Sequence, residues 1–400
     1  MKILIVILVF FFSLCSVHAQ YNTNALKEIG YENISELIIG NHYYIAYENN
    51  IYRYEGDALI KFIEIIKVPN NIQNIIVLIR NRGIGISSME FKKLNLDQLR
   101  SGKISSNIFS KKSIFSFNVD KLNKLFENSE SANQSYLKGE IITGVDLELE
   151  LGNFDNSVRQ KVNFQPELIS VIGKGAAISA RYNITTLNEI DNKKSYMQLA
   201  RITQDIRFKD NIFFNLNFGF FTENRYGFTS RLDRYLGSEK IKLRFDFGLT
   251  KSINLDENLD LVIRNNINTF NYSSSLIYRW NKYDTDFSYQ YGTFISGDTG
   301  YKLKLSRQLD EIFVGLFINS TSFGKVAGFD FRIPLSTRRH MKNKGIRIRT
   351  KDFFYLPYNY IYGSNIANEF FTGSNILTQI QEYYPEVLRK KVAKHLYSYK

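Results

Sequence analysis

The chain has 400 residues and a formal net charge of +13, and 15% of its residues are aromatic, with 26 Tyr and 32 Phe but one Trp. Its single cysteine, Cys15, lies in an apolar N-terminal stretch. The rest of the chain therefore cannot form a disulfide scaffold, a thiol catalyst or a cysteine-ligated metal site. No later stretch approaches about 18 consecutive apolar residues, which excludes a transmembrane helix there.

The first residues predict a signal peptide over residues 1–19. Lys2 precedes the apolar run Ile3 to Leu14, and Val17-His18-Ala19 supplies the small residues that a cleavage site needs. We expect cleavage after Ala19. An uncleaved membrane anchor is the alternative, but a spanning helix takes about 20 apolar residues. Leu14 is not the small residue that a lipoprotein signal places before its cysteine.

Residues 20–93 predict a small α/β domain. Its predicted elements are a helix over Asn22 to Gly30, two strands within Ile34 to Tyr54, a helix over Ala58 to Lys67, and strands over Ile72 to Arg80 and Gly85 to Phe91. Apolar residues recur at helical spacing in the second helix, and Pro69 follows its end. Residues 94–135 are polar and predict a linker with one helix near Val119 to Phe126.

From Tyr136 the sequence alternates between apolar and polar residues. Lys240 to Gly248, read KIKLRFDFG, is the clearest case, because its apolar side chains all fall on one face of a strand and its charged ones on the other. The pattern gives roughly fourteen candidate strands, and a tilted membrane strand needs about 9 to 11 residues. Leu259 to Phe270 is one of these candidates, and Gly345 to Tyr355 closes the series.

These strands predict a mainly β fold: a transmembrane antiparallel β-barrel of about 12–14 strands over residues 136–360, with lipid outside and a charged, hydrated lumen. The small α/β domain would lie in the periplasm. A secreted or periplasmic β-sandwich is the alternative, and it would bury the apolar faces between two stacked sheets. Pro166 falls inside a predicted strand, although proline suits strand starts and bulges.

Residues 361–400 predict a basic helical tail. Asn375 to Tyr397 has helical character, and Pro385 fits the first turn of a final helix. The final helix has an apolar stripe made of Val387, Leu388, Val392 and Leu396. We expect this stripe to dock on a protein surface, with binding at a membrane interface as the alternative.

The polar face of the predicted strands carries the candidate site residues. The basic candidates are Lys240, Lys242, Arg244, Lys302, Lys304, Arg332, Arg347 and Arg349. The acidic candidates are Asp146, Glu148 and Glu150. A basic lumen would attract and guide an anionic polysaccharide. Alternatively, these cations pair across the lumen with Asp246, Asp330 and the acidic first strand.

The sequence predicts no enzyme and no catalytic residue, cofactor or metal. It contains no GxSxG, HExxH or P-loop motif and no GxGxxG after a strand. His42, His340 and His395 are far apart in sequence and predict surface or structural roles. Carboxylates two residues apart on a strand, as in the acidic candidates, are separated by roughly 6.5 to 7 Å, which would fit a glycosidase pair. A hydrated lumen face is the preferred interpretation.

Several segments resemble the YjbH/GfcD exopolysaccharide family. The resemblance is carried by GDTGYKLKLSRQLDEIFVGLFINST with GFDFRIPL, by GFFTENRYGFTSRLDRYL, and by LKEIGYENI with YENNIYRYEGDALIKFIEIIKVP. The matched positions are Asp298, Gly300, Arg307, Gly315, Phe329 and Ile333-Pro334-Leu335. The resemblance implies an outer-membrane location and a part in exopolysaccharide or capsule secretion.

The sequence and the resemblance together predict a non-catalytic outer-membrane β-barrel that assists export or assembly of an exopolysaccharide. The alternative is a structural or adhesive outer-membrane barrel with a plugged lumen. Expected partners are outer-membrane lipid, an anionic polysaccharide and periplasmic or lipoprotein export components. Nucleic acid is not expected, because an exported barrel does not meet it.

Overall fold

The computed structural model describes residues 21–151, 158–190, 195–237, 239–255, 261–263, 270–335, 337–359 and 366–396. The predicted signal peptide lies outside the described residues. The chain divides into two compact units. The first contains the chain up to Ser135 together with Arg338–Lys342 and Ile380–Lys400, and the second contains Tyr136–Thr337 and Asn343–Gln379.

The first unit is an α/β fold built on a five-stranded sheet. Its elements up to Ser135 are α1 (Thr23–Ile29), β1 (Glu32–Ile39), β2 (His42–Glu48), α2 (Glu55–Ile65), β3 (Asn74–Asn81), β4 (Ile84–Lys92), α3 (Lys93–Arg100), α4 (Ser106–Lys112), β5 (Ile114–Ser116) and α5 (Asp120–Leu125). The strand order is β1-β2-β3-β4-β5. Only β2 and β3 pair in parallel, because the helix α2 connects them as a crossover.

Both faces of this small sheet are buried, which explains the continuous apolar run in β3. On one face the Tyr47 ring stacks on Phe62 of α2 at 5.2 Å between ring centroids. On the other face Ala46 and Leu78 pack with Val119 and Phe126 in one buried cluster. Strands covered on both sides need apolar residues at successive positions rather than at alternate ones.

Residues 94–135, predicted as a linker, belong to the first unit and hold α4, β5, α5 and most of α3. The polar composition of this segment concealed a narrow apolar stripe. Val119, Leu122 and Phe126 recur at helical spacing and cover one face of the sheet. The helix predicted near Val119 to Phe126 is confirmed as α5.

The second unit is dominated by one large sheet. Its strands are β6 (Gly139–Leu151), β7 (Val158–Gly173), β8 (Ala176–Asn188), β9 (Tyr196–Phe208), β10 (Ile212–Phe221), β11 (Arg225–Leu236), β12 (Ile241–Leu255), β13 (Leu261–Ile263), β14 (Phe270–Trp280), β15 (Thr285–Thr293), β16 (Thr299–Leu309), β17 (Ile312–Thr321), β18 (Gly324–Pro334), β19 (Ile346–Thr350) and β20 (Phe353–Asn359). The mainly β prediction is therefore confirmed. No helix in the described part of the chain is both long and apolar enough to cross a membrane.

Fourteen of these strands follow one another in a single path, β19-β6-β7-β8-β9-β10-β11-β12-β14-β15-β16-β17-β18-β20. Neighbours from β6 to β18 pair antiparallel, whereas β19 pairs with β6 in parallel. Most of the strand predicted over Leu259 to Phe270 lies outside the described residues. Its described part, Leu261–Ile263, forms β13, which pairs with the end of β12, and β14 is the next strand in the path. The strand predicted over Gly345 to Tyr355 corresponds to two strands, β19 and β20.

Local residue choice explains where several of these strands turn or interrupt their pairing. Asp210 and Asn211 both adopt positive φ in the connection between β9 and β10, as tight hairpins require. Pro166 lies within β7, which pairs with β8 up to Phe164 and again from Glu167. The gap in pairing accommodates a residue that has no N–H to donate.

The C-terminal residues are divided between the two units. The short helix α6 (Ile376–Gln379) belongs to the second unit, whereas a 3-10 turn (Ile380–Tyr383) and α7 (Pro385–His395) belong to the first. Pro385 occupies the first turn of α7, as predicted. Within the first unit α7 packs against α2 and α4. Of its predicted apolar stripe, Leu388, Val392 and Leu396 are buried, so these residues dock on protein.

Candidate functional site

The large sheet is apolar on its exposed face and polar on its buried face. On β12, Ile241, Phe245 and Leu249 are 37–50% exposed, whereas Lys242 and Thr250 are 8% and 2% exposed. This distribution differs from the usual one, in which apolar side chains are more often buried and charged side chains are mostly exposed. A β-sandwich would bury these apolar side chains between sheets, so the sandwich alternative does not describe this sheet.

The buried face, called the polar face below, carries ion pairs between neighbouring strands. Asp233 on β11 is fully buried and accepts two bonds from Arg244 on β12, at 2.8 Å from Nε and 2.7 Å from Nη2. Lys242 Nζ lies 4.0 Å from the same carboxylate. The register places Asp233 directly opposite Arg244, so the pair follows from strand pairing itself.

Most of the other predicted basic residues also have partners. Lys302 Nζ lies 3.0 Å from Glu369, and Lys304 forms an ion pair with Asp330. The Arg332 guanidinium sits over the Phe313 ring at 3.8 Å and over the Phe353 ring at 4.4 Å. Arg347 and Arg349 both pair with Glu140 of β6. Lys240 is different, since it lies exposed in the turn before β12.

The three predicted acidic residues on β6 face complementary side chains on β7. Asp146 accepts from Asn163 at 3.5 Å. Glu148 lies 3.7 Å from Lys161, and Glu150 lies 3.1 Å from Arg159. These carboxylates form a ladder of cross-strand contacts.

A C-terminal segment, residues 366–379, lies on the polar face. At its start the backbone N–H of Ala367 donates to Asp298 at 2.7 Å, in the connection between β15 and β16. Glu369 then binds Lys302 of β16 and accepts a bond from Gln290 of β15 at 2.7 Å. We call residues 366–379 the inner segment.

The rest of the inner segment follows β9 and β10. Phe371 donates its N–H to Thr222 at 2.6 Å, just after β10. Arg201, midway along β9, donates to the Ser374 carbonyl oxygen. Asn375 donates to Asn215 at 3.1 Å, and the Ile376 N–H donates to a buried carboxylate, that of Asp205, at 3.3 Å. Successive residues therefore meet positions progressively nearer the β9–β10 turn, and the segment runs along the strands.

A cavity of about 120 Å³ remains between the inner segment and the strands β10, β11, β12 and β14. Its lining includes Asn215, Asn217, Arg231, Asp246, Asn271 and Glu369. Three of these side chains are uncharged amides, and three are charged. The cavity lies within the second unit.

Sequence reasoning placed the charged candidates other than Lys240 on the polar face, but it missed the inner segment and did not select the asparagines of β10 as site residues. The sequence NEFFTGSN over residues 368–375 has neither helical nor strand periodicity. The one available signal was the alternation of Asn215 and Asn217 with aromatic residues on β10, which put two amides on the polar face.

The first unit contains a separate titratable feature, a buried glutamate at the start of α2. Glu55 is 1% exposed and accepts a hydrogen bond from the Tyr47 hydroxyl at 2.8 Å. Burial raises the pKa of the Glu55 carboxyl well above its usual value, because removal from water disfavours the charged form. The described residues include no cluster of three or more His, Cys, Asp or Glu side chains that could hold a metal ion.

Comparison with known proteins adds no identification. No known protein-family model matches this chain, and no curated protein matches it either.

Proposed function

We propose that this chain is an outer-membrane β-barrel whose lumen is filled by its own inner segment. We propose further that it assists export or assembly of an exopolysaccharide without catalysis. The membrane proposal rests on one observation: the large sheet exposes its apolar face and buries its polar face. Phe245 and Leu249 are exposed, and Asp233 is fully buried. A membrane barrel has this arrangement because lipid replaces water as the outer solvent.

Closure of the sheet is supported by the pairings of one short stretch of chain. Thr350 of β19 lies opposite Thr143 of β6, and Phe353 of β20 lies opposite Pro334 of β18. Eleven strand-to-strand steps separate β6 from β18 in the strand order. At about 4.8 Å for each step, the two strands would be about 53 Å apart in a flat sheet. Three residues reach at most about 11 Å. This short connection supports a sheet whose two edges approach each other.

Exposed aromatic side chains near both ends of the strands support the membrane proposal, and Tyr289, opposite Leu276, lies between these groups. Tyr272 and Tyr291 lie near one end of the strands, and Trp280 and Phe287 lie near the other, all of them 43–50% exposed. The eight steps from Tyr272 to Trp280 span about 27 Å along a strand, or about 20 Å of height at a tilt of 35–45°. Leu276 lies between the two groups. Aromatic girdles flank the apolar band of outer-membrane barrels in the same way.

A closed lumen agrees better with the contacts than an open conduit does. The cations predicted to line a polysaccharide path are largely matched by carboxylates or aromatic rings, and the inner segment lies along the polar face. The role in export rests on the family resemblance of residues 297–335. In this proposal the first unit binds periplasmic export components, and the barrel anchors it.

Fractionation and conductance measurements test the two parts separately. We expect the protein in the outer-membrane fraction, with a gel mobility that changes on heating, and little conductance in planar bilayers. Replacing Glu369 with Gln and Asn375 with Ala should raise the conductance, because both bonds hold the inner segment. Glu150→Gln is the matched control, since its pair lies away from that segment.

Recovery in the soluble fraction would refute the membrane location. Steady conductance of the wild-type protein, with passage of polysaccharide, would refute the filled lumen and restore the conduit.

A further inference from the structure

The cavity beside the inner segment contains polar groups that the protein does not use itself. Asn271, on the polar face of β14, has no hydrogen-bond partner within the described residues, although its amide can make up to four bonds. Arg231 binds Asp246 through Nε, and no bond to a described residue engages its two terminal nitrogens. These groups converge on one space from three neighbouring strands.

Charge in this space is balanced. The Arg231 guanidinium is neutralised by Asp246, and the Glu369 carboxylate is neutralised by Lys302 at 3.0 Å. An anionic ligand would find no unpaired cation here and would face two carboxylates. A ligand rich in hydroxyl groups could instead accept bonds from Arg231 and exchange bonds with Asn271 without separating either ion pair.

The size and shape of the cavity also limit the ligand. Its volume of about 120 Å³ is several times the about 10–15 Å³ that one water requires. Phe294, a buried ring in the same lining, provides an apolar wall. An apolar wall with a few convergent polar groups is the usual composition of a small-molecule site.

We infer that this cavity is a binding site for one uncharged sugar unit of a glycan. Asn271 and the terminal nitrogens of Arg231 would hold its hydroxyl groups. The inference rests on the proposed part in polysaccharide export and narrows it, because it selects neutral sugar units rather than uronic acids as the ligand.

Titration calorimetry tests the site, with full-length protein in an amine-oxide detergent. Glucoside and maltoside detergents must be avoided, because their headgroups are themselves neutral sugars. The probes are a neutral malto-oligosaccharide and an oligogalacturonate of equal length. We expect saturable binding of the neutral probe and weaker binding of the acidic one.

Two matched variants locate the binding. Asn271→Leu should weaken binding of the neutral probe by about tenfold, as expected for the loss of about two neutral hydrogen bonds. Asn319→Leu is the control, because it changes the same residue type on the polar face. Asn319 lies on β17 opposite Lys302 of β16, and its replacement should leave binding unchanged. Both preparations are first checked for heat-modifiable mobility, which establishes that the barrel is folded.

Each outcome decides the question. No saturable heat with a folded protein would show a cavity filled only by solvent, and the sugar site would be refuted while the barrel stands. Preferred binding of oligogalacturonate, or equal losses in both variants, would refute the ligand class or the location. A protein that binds the neutral probe but fractionates as soluble would refute the proposed function and not the site.

Discussion

Replacing Asp233 with Asn should destabilise the large sheet of the second unit strongly. Asp233 is fully buried and holds Arg244 through two bonds, with Lys242 also within 4.0 Å. An amide keeps the shape of the side chain but removes its charge. Two cations then remain in a poorly hydrated space without their counter-charge.

The expected loss is about 3–5 kcal/mol in the free energy of unfolding, the usual result of removing one partner from a buried ion pair. Glu150→Gln is the matched control, because its pair with Arg159 is 20% and 26% exposed at the two side chains. This pair is partly exposed, so its contribution should lie closer to the about 0–1 kcal/mol of a surface pair than to that of a buried one. The difference between the two variants therefore measures how far the polar face is shielded from water.

Unfolding by guanidinium in lipid vesicles gives both values, with the fluorescence of the single tryptophan, Trp280, as the signal. Replacing Arg244 with Gln in the Asp233→Asn background should recover part of the loss, since it removes one of the cations that were left unpaired. If Asp233→Asn costs no more than Glu150→Gln, the lumen is well hydrated. That result would refute the filled barrel.

Three further changes have definite expected results. Leu276→Arg on the exposed face should cost about 2–4 kcal/mol in vesicle unfolding, the penalty for a cation at mid-bilayer, and no penalty would indicate that this face meets water. Gly219 has a φ of +144°, and a Cβ added there would lie 2.3 Å from the Ala200 carbonyl oxygen, so Gly219→Ala should lower the free energy of unfolding by about 1–3 kcal/mol. Gly139→Ala is the control and should leave the unfolding midpoint unchanged, because the nearest atom to an added Cβ lies 3.7 Å away. The pKa of Glu55 is raised in the folded protein, so its contribution to folding stability is complete below its ordinary pKa and declines as pH rises towards the folded value. Glu55→Gln should therefore flatten the pH dependence of hydrogen exchange in α2. An unchanged slope would exclude this carboxyl as the cause of that dependence.

The strands of the large sheet could be predicted because the alternation of apolar and polar residues lies within each strand. Lys240 to Gly248 was predicted with one apolar and one charged face, and in β12 Phe245 is exposed and Lys242 is buried, since alternation fixes the face of every side chain within a strand. The Asp233–Arg244 pair could have been derived from the same pattern. The antiparallel register of β11 and β12 places the two residues directly opposite each other.

The inner segment could not be predicted, because its contacts are distant in sequence and follow no period. Arg201 and Ser374 are joined by a bond to a backbone carbonyl, and any residue type at position 374 could supply that oxygen. The sequence did not indicate that Glu369 pairs with Lys302, because a single charged residue in a polar stretch is normally solvated. Sequence patterns therefore indicate the strands of this sheet but not the inner segment that lies against them.

The proposed contact between lipid and the exposed face can be tested directly at Trp280, which is 44% exposed and is the only tryptophan of the chain. The protein is reconstituted in vesicles whose acyl chains carry bromine at a known depth, and the indole fluorescence is compared with that in unbrominated lipid. Quenching is expected, and bromine near the headgroups should quench more than bromine near the bilayer centre, because Trp280 lies at a strand end. Equal fluorescence in brominated and unbrominated vesicles would show that this face does not meet lipid and would contradict the membrane barrel.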